Sequence, residues 1–599
     1  MPKIVRSSQF APQIRNSTWN NKRDRVNKEL ITKIAGTVGI LSTLGGHIAS
    51  ADVLPGAAQA EQISRSLSSR HIPPPKTPTS PLSAPEQKES PLLEQAKKIT
   101  FTLNEILLEG NYVYSTAELE KLYRNKLHTK ISVADLFGIV SDITDFYRNN
   151  GYILSQATLP PQHIKNGIVH IKIIEGFIDQ VEVTGLPFGT RRVVENFGKK
   201  IASHKPLQLK YMEKYLLLAD ELPGTNVKSV LAPSKTIVGA ADLTLVTENK
   251  PITGYASYDN YGSRYTGPQE ITANLSFNSL ITSGDDTQVT VVKTPKGQEL
   301  TYVDVNYGTQ ISREGTRWLL GATRAATHPL FVLESSDING LNTIYYTNLQ
   351  FPIIRSFSQS LTLQLGFGFS YTNSTSLGLP LYTDRVRSLN FDTIYNLADR
   401  FHGSNFMMAT LRKGLPIFGY TTQTNPETAQ TSRPGGNANY FKIVLTLSRT
   451  QAIKGAWSLY AMMRAQKAFV PVLAGEQFAY GGSQLGRGYD VAEILGDKGM
   501  GGTAELRYDW AIGKFWLQGL QFYAFYDAGV VWNYADASNP NNTLKQSAMS
   551  TGFGSRFYST QSISGNLMWT QPLTKQVAAE ELIGRGKCPR IFFSVVFSA

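Results

Sequence analysis

From Pro251 onward the chain alternates apolar and polar residues with a period of two. Ile271, Ala273, Leu275 and Phe277 are separated by Thr272, Asn274 and Ser276. Leu361, Leu363, Leu365, Phe367 and Phe369 alternate with Thr362, Gln364, Gly366, Gly368 and Ser370. Phe441 to Leu447 and Ala504 to Trp510 repeat the pattern, with Glu505, Arg507 and Asp509 on the polar face of the latter. Such a dyad belongs to strands with one apolar and one polar surface. Sixteen segments of this kind begin near residues 252, 269, 285, 298, 315, 341, 358, 383, 404, 438, 455, 500, 518, 550, 563 and 590. The spacing averages about 22 residues, room for roughly 10 spanning residues and a connection. An antiparallel 16-stranded transmembrane β-barrel over 251–599 fits this arithmetic, and a soluble sandwich or propeller with the same alternation stays open.

Before Pro251 the pattern is mixed. Ile99 to Leu107 reads as a strand, Ser115 with Glu118 as a capping box opening a helix through Tyr123, and Ser132 as the start of a second helix. That helix carries Leu136, Ile139, Val140, Ile143 and Phe146 and stops at Asn149-Asn150-Gly151. Strands over Tyr152–Leu159 and Ile168–Ile174 complete a β-α-α-β-β unit over 99–176. The same order recurs over 177–250: a strand at Ile178–Val183, helices at Arg191–Ile201 and Leu209–Leu222, strands at Val227–Leu231 and Ala241–Val246. Helices on one face of each small sheet leave the other face, or an edge, open to a partner strand.

The first 51 residues read as a long secretory signal: a basic stretch to Lys33, an apolar run Ile34–Leu44, and a small-residue site at Ala49-Ser50-Ala51. A short helix over Ala57–Arg70 follows, with Ile63, Leu67 and Arg70 on one face. His71 to Pro91 is rich in proline and reads as a semi-extended linker, with folded structure resuming at residue 99.

Composition sharpens the picture. Only 18% of the 599 residues are charged, below the roughly 25% of soluble proteins. No run of 18 apolar residues occurs, so a bilayer would be crossed by strands. The net charge of +13 falls to +7 without the first 51 residues, which hold eight bases against Asp24 and Glu29. Nucleic acid is therefore not an expected partner. The single cysteine, Cys588, excludes an internal disulfide and reads as a buried, inert thiol. Asp285-Asp286 reads as part of a solvated turn. With no HExxH, Walker loop or nucleophile elbow, the sequence points to neither an enzyme nor a cofactor.

One segment stands apart: Gly481-Gly482-Ser483-Gln484-Leu485-Gly486-Arg487-Gly488-Tyr489, with Gly496-Asp497-Lys498-Gly499 after it. Farther on, Phe525-Tyr526-Asp527-Ala528-Gly529 places Asp527 on the face of Gln521, Tyr523 and Phe525. With Phe522, Ala524, Tyr526 and Ala528 toward lipid, Asp527 points into the lumen, where Arg487 is a candidate partner.

These paired motifs resemble those of the two-partner secretion outer-membrane transporters of the haemolysin and filamentous-haemagglutinin secretion type. The resemblance implies a plug helix over 52–70 (Ile63, Leu67, Arg70), a linker over 71–98, two polypeptide-transport-associated (POTRA) domains over 99–176 and 177–250, and the 16-stranded barrel. It implies that Arg487, Gly488 and Tyr489, with Gly481 and Gly482, tip a loop folded into the pore, and that Asp527, flanked by Phe525 and Gly529, is its wall partner. It further implies a Gram-negative outer-membrane location with periplasmic POTRA domains. The implied partners are a secreted exoprotein with a β-helical secretion domain, outer-membrane lipid and the barrel-assembly machinery. A barrel-assembly insertase and a passive porin remain the alternatives; an insertase usually carries more POTRA units, and a porin needs no inward arginine loop.

Overall fold

The computed structural model describes residues 54–70, 96–185, 189–295, 299–422, 431–514, 516–535, 544–559 and 562–599. The expected signal over 1–51, the first two residues of the expected plug segment and most of the expected linker lie outside them.

The first module is more broken than its hydrophobic pattern predicts. The strand expected over Ile99–Leu107 divides at Asn104 into β1 (Thr100–Leu103) and β2 (Glu105–Glu109). There the chain changes partners: β1 pairs antiparallel with β3 (Thr129–Ser132), while β2 runs parallel to β5 (Ile168–Ile174). The Asn104 amide N–H donates to the Gly167 carbonyl at 2.9 Å and its side chain to Asn166 O at 2.9 Å, bridging the gap. The helix opened by the Ser115–Glu118 capping box is only Thr116–Glu120 (α2). The second, α3 (Val133–Asn149), starts at Ser132, whose hydroxyl accepts the Asp135 N–H. It ends where Gly151 takes φ +90°, a left-handed turn that suits glycine. Of the strand expected over Tyr152–Leu159 only β4 (Gln156–Thr158) forms. Tyr152 instead turns back, its ring 6.0 Å from that of Tyr147.

The second module holds β6 (Ile178–Gly185), α4 (Arg191–Ala202), α5 (Leu209–Asp220), β7 (Thr225–Pro233) and β8 (Ala241–Asn249). Its sheet order, β6-β8-β7, repeats the β2-β5-β4 order of the first, with the last strand central in each. Phe197, Ile201, Met212, Leu243 and Leu245 form the buried layer between helices and sheet.

Beyond Pro251, sixteen antiparallel strands close into one barrel. They are β9 (Ile252–Asp259), β10 (Glu270–Asn278), β11 (Asp286–Lys293), β12 (Leu300–Gln310), β13 (Arg317–Thr327), β14 (Ile338–Arg355), β15 (Gln359–Ser376) and β16 (Leu379–Ala398). There follow β17 (Gly403–Gly414), β18 (Phe441–Lys454) and β19 (Trp457–Ala468); a short hairpin, β20 (Phe478–Tyr480) and β21 (Ile494–Gly496), stands apart from the wall. β22 (Lys498–Lys514), β23 (Leu517–Trp532), β24 (Lys545–Tyr558), β25 (Ile563–Pro572) and β26 (Arg590–Ser598) complete it. Closure is through β26 on β9, from Ser594–Asp259 to Ser598–Tyr255. The expected alternation sorts the faces: Leu365, Phe522, Tyr526 and Phe553 are exposed on the outside, while Tyr302, Asp304 and Asp527 turn inward. Among the described residues no helix is long and apolar enough to cross a membrane.

Two polar readings are corrected. Asp285 and Asp286 are buried rather than solvated: Asp285 accepts the N–H groups of Ile281 and Thr282, and Asp286 pairs with Arg317. Cys588 is half-buried on the loop before β26, not sequestered in a core.

The second module meets the barrel at the turns below its strands. Glu314, between β12 and β13, receives Lys200 at 2.5 Å, Lys214 at 3.2 Å and the Tyr215 hydroxyl at 2.7 Å. The Lys200 contact leads in holding the Glu314 carboxyl down to about 2. Arg355 reaches Glu221 at 3.1 Å.

Candidate functional site

The loop between β19 and β22 does not leave the barrel. It carries the β20–β21 hairpin into the lumen, so that Tyr480, Leu485, Tyr489 and Ile494 form an apolar cluster with Val531 and Ala548 of the wall. Gly486 adopts φ +79°, which permits the reversal that aims Arg487 at the wall. Gly529 faces the Tyr480 ring so closely that a Cβ there would lie 2.2 Å from it.

The structure brings Arg487 onto Asp527. The Arg487 backbone N–H donates to Asp527 Oδ2 at 2.9 Å, its Nε to the same oxygen at 3.0 Å, and its Nη2 to Oδ1 at 2.7 Å. This is a forked, charge-assisted contact reinforced from the main chain. Nη2 also reaches Thr503 Oγ1, and Nη1 pairs with Glu505. The guanidinium carbon lies 3.6 Å from the centre of the Phe525 ring, a cation–π stack. Gly488 N–H faces Ser550 Oγ at 3.3 Å and the Tyr489 hydroxyl donates to Met549 O at 2.9 Å. Gly481 and Gly482 start the descent, both with positive φ.

Sequence reasoning missed the rest of the network. Glu505, seen only as one polar residue in an alternating strand, also takes Arg507 at 2.7 Å and Arg556 at 3.2 Å. Asp497 of the Gly-Asp-x-Gly run is held by Arg433, with Nη2 at 2.9 Å, and accepts the N–H groups of Val472 and Tyr534. Nothing in the spacing could mark Arg433, which comes from another loop.

A second body fills the lumen: α1 (Ala60–Arg70), preceded by a tight turn at Gly56–Ala58. The expected helix over Ala57–Arg70 is interrupted at Gln59, which is extended. Ile63 and Leu67 pack on Val292, Leu300, Tyr302 and Ala325 of β11–β13. Arg70 reaches Glu270 at 2.6 Å and Tyr261 O at 3.2 Å. Arg65, not singled out by the sequence pattern, pairs with Glu476, which also binds Lys442 at 2.8 Å and Arg412 at 3.4 Å. The Gln62 amide donates to Ala474 O at 2.6 Å and Gln484 of the inward loop donates to Ser69 O at 3.1 Å. Loop and helix are thus packed on each other as well as on the wall. Among the described residues no group of His, Cys, Asp and Glu could hold a metal ion.

A closed barrel with α/β modules at one end and an internal loop pinned to its wall defines an outer-membrane transporter of the POTRA-barrel class. The chain belongs to the haemolysin secretion/activation protein family ShlB/FhaC/HecB, whose model matches residues 239–557, and residues 101–176 match the POTRA domain of ShlB type. It is 24% identical over 549 residues, 89% of this chain and 94% of the other, to the heme/hemopexin transporter protein HuxB of Haemophilus influenzae strain 86-028NP. It is 25% identical over 286 residues, 44% of this chain and 48% of the other, to the outer membrane transporter CdiB of Escherichia coli. The solved structure of CdiB from Escherichia coli superposes with a TM-score of 0.70 at 18% identity, covering 92% of this chain and all of that one. CdiB from Acinetobacter baumannii gives 0.62 at 15% identity, with 92% and 100% coverage. The family places the barrel in the outer membrane and the POTRA modules in the periplasm, in a two-partner secretion system of transporters rather than enzymes.

Proposed function

We propose that this transporter captures one unfolded exoprotein of haemolysin or adhesin type, bearing a β-helical secretion domain, and threads it through the barrel to the cell surface. The observation that carries this reading is α1 itself: a helix from outside the barrel sequence occupies the lumen, and side-chain ion pairs and hydrogen bonds form much of its seat. Such contacts exchange with water at modest net cost, so the helix can leave without unfolding the wall.

Capture belongs to residues 99–176 and 177–250, read as two POTRA domains. Their sheets end in the edge strands β2 and β4, and β6 and β7, and β7 exposes Asn226, Lys228 and Val230. An extended segment added to such an edge gains main-chain hydrogen bonds with little sequence demand. Arg487 and Asp527 keep the inward loop against the wall, so that the space left by α1 becomes the path. The expected barrel-assembly and lipid partners serve insertion rather than transport.

Co-expression with the exoprotein tests the reading. With Cys588→Ser as background, Glu61→Cys on α1 and Gly475→Cys on the inward loop are introduced at a pair where a Cβ on residue 475 would lie 3.3 Å from that of residue 61, within reach of a disulfide. Oxidation is expected to stop secretion of the partner and reduction to restore it. Undiminished secretion through the oxidised pore would contradict the proposal.

A further inference from the structure

The charges of the barrel wall are divided by face and by height. Strand parity puts the strand acids, from Asp259 on β9 to Asp527 on β23, at inward positions, and among the described residues the outward strand positions hold no Asp or Glu. Cations do face outward, and they gather at the ends of the strands away from the POTRA modules. Lys413 is the next-to-last residue of β17, opposite exposed Leu389 and Phe441; Lys467 is the next-to-last of β19, opposite exposed Ile443. Arg385 and Arg387 stand on β16 at the height where β17 ends, beside outward Tyr371 and Phe369 of β15. Lys293 and Arg324 continue the level on β11 and β13. At the opposite, periplasmic end the outward Arg449 is closed by Asp399.

These cations stand on aromatic ground. The Arg385 guanidinium lies 5.6 Å from the Tyr371 ring centre, that of Arg387 4.9 Å from Phe369, and the Lys467 ammonium 5.1 Å from Phe469, which stacks on Phe441 at 5.5 Å. Exposed Phe391 and Leu411 below and exposed cations above match an amphiphile with acyl chains and an anionic head. One strand spacing and a four-residue offset in register set Arg385 about 14 Å from Lys413, and two spacings with a two-residue offset set Lys413 about 12 Å from Lys467, each the breadth of a disaccharide head with a phosphate at each end. Guanidinium and ammonium groups are suited to phosphate as forked and point donors respectively.

We propose that the outward face of β16–β19 is a binding site for the phosphorylated glycolipid of the outer leaflet, with Arg385, Lys413 and Lys467 holding its phosphates and Phe391 and Leu411 lying against its acyl chains. A lipid seated there braces the wall from outside, over strands whose inner face carries Arg412, Lys442 and the Glu476 cluster that holds the plug. The site has no part in the capture or threading described above, so it stands or falls independently.

The test uses purified full-length protein in detergent and fluorescent diphosphorylated lipid A as probe. The variant R385Q/K413Q/K467Q is compared with wild type and with K454Q, at the periplasmic end of β18. The expected result is a loss of affinity of at least about tenfold in the triple variant and none in K454Q. Enzymatically dephosphorylated lipid A should bind wild type as weakly as the triple variant binds the intact lipid. Equal binding by wild type and triple variant, equal binding of the dephosphorylated lipid, or equal competition by phosphatidylglycerol would each overturn the assignment. Heat-modifiable gel mobility reports barrel folding; should the triple variant fail to fold, K413Q and K467Q singly carry the test, each with about a threefold loss expected.

Discussion

Arg487 is surrounded rather than merely paired, and that decides what its substitution does. Asp527 accepts three of its N–H groups and is itself fully buried. Removing one charge from a buried pair strands the other, at a cost of about 3–5 kcal/mol, while removing both spares much of that. Asp527→Asn should therefore lower the thermal midpoint of barrel unfolding and reduce secretion strongly, and Arg487→Met/Asp527→Leu should recover part of the midpoint. Additive effects in the double-mutant cycle would contradict a coupled pair. Gly529→Ala is a sharper probe, because its Cβ would stand 2.2 Å from the Tyr480 ring. It should displace the hairpin without touching a charge, raising the channel's baseline conductance noise in planar bilayers. The sequence carried Arg487 and Asp527 through their glycine-rich setting and strand parity. It could not carry Glu505, Glu476 or Arg433, whose importance comes only from partners brought in by other strands and loops.

Among the elements, the alternating strands were the legible ones. A strand with lipid on one face and lumen on the other must alternate, and the expected starts at 252, 563 and 590 coincide with β9, β25 and β26. The first periplasmic module was less legible, since its short strands trade partners at Asn104 and its first helix stops at Glu120, choices set by packing rather than period. The joint between α4, α5 and the β12–β13 turn was not legible at all, because Glu314 looks like any loop acid until the helices arrive. Its carboxyl is held down to about 2 by Lys200 first, with Tyr215 and Lys214 assisting. A depressed folded-state value means the contact is fully present above the ordinary carboxylate value of about 4.3 and is lost as pH falls toward about 2. The carboxylate is half-exposed, so screening limits its worth to under about 1 kcal/mol. Spin labels on α5 and on the barrel rim should report a broader distance distribution at pH 3 than at pH 6, and Glu314→Gln should show the broad distribution at both. A distribution unchanged by pH and by the substitution would remove Glu314 from the joint.

At the scale of the whole molecule, the barrel is a wall whose interior is filled by two bodies, the inward loop pinned to it and α1. Ile63 and Leu67 give α1 a small apolar footing, and Arg65, Arg70 and Gln62 tie it to Glu476, Glu270 and Ala474. Glu476 and Glu270 are buried, so salt screens these pairs little and release of the plug should depend only weakly on ionic strength. The central claim, that α1 closes a pore which its departure opens, is tested most directly by single-channel conductance in planar bilayers. A chain of residues 52–599 is compared with one that begins at residue 76. The deletion is expected to raise conductance or open time markedly over the longer chain. Equal, closed behaviour of both forms, with the barrel shown to be folded by heat-modifiable mobility, would contradict the account.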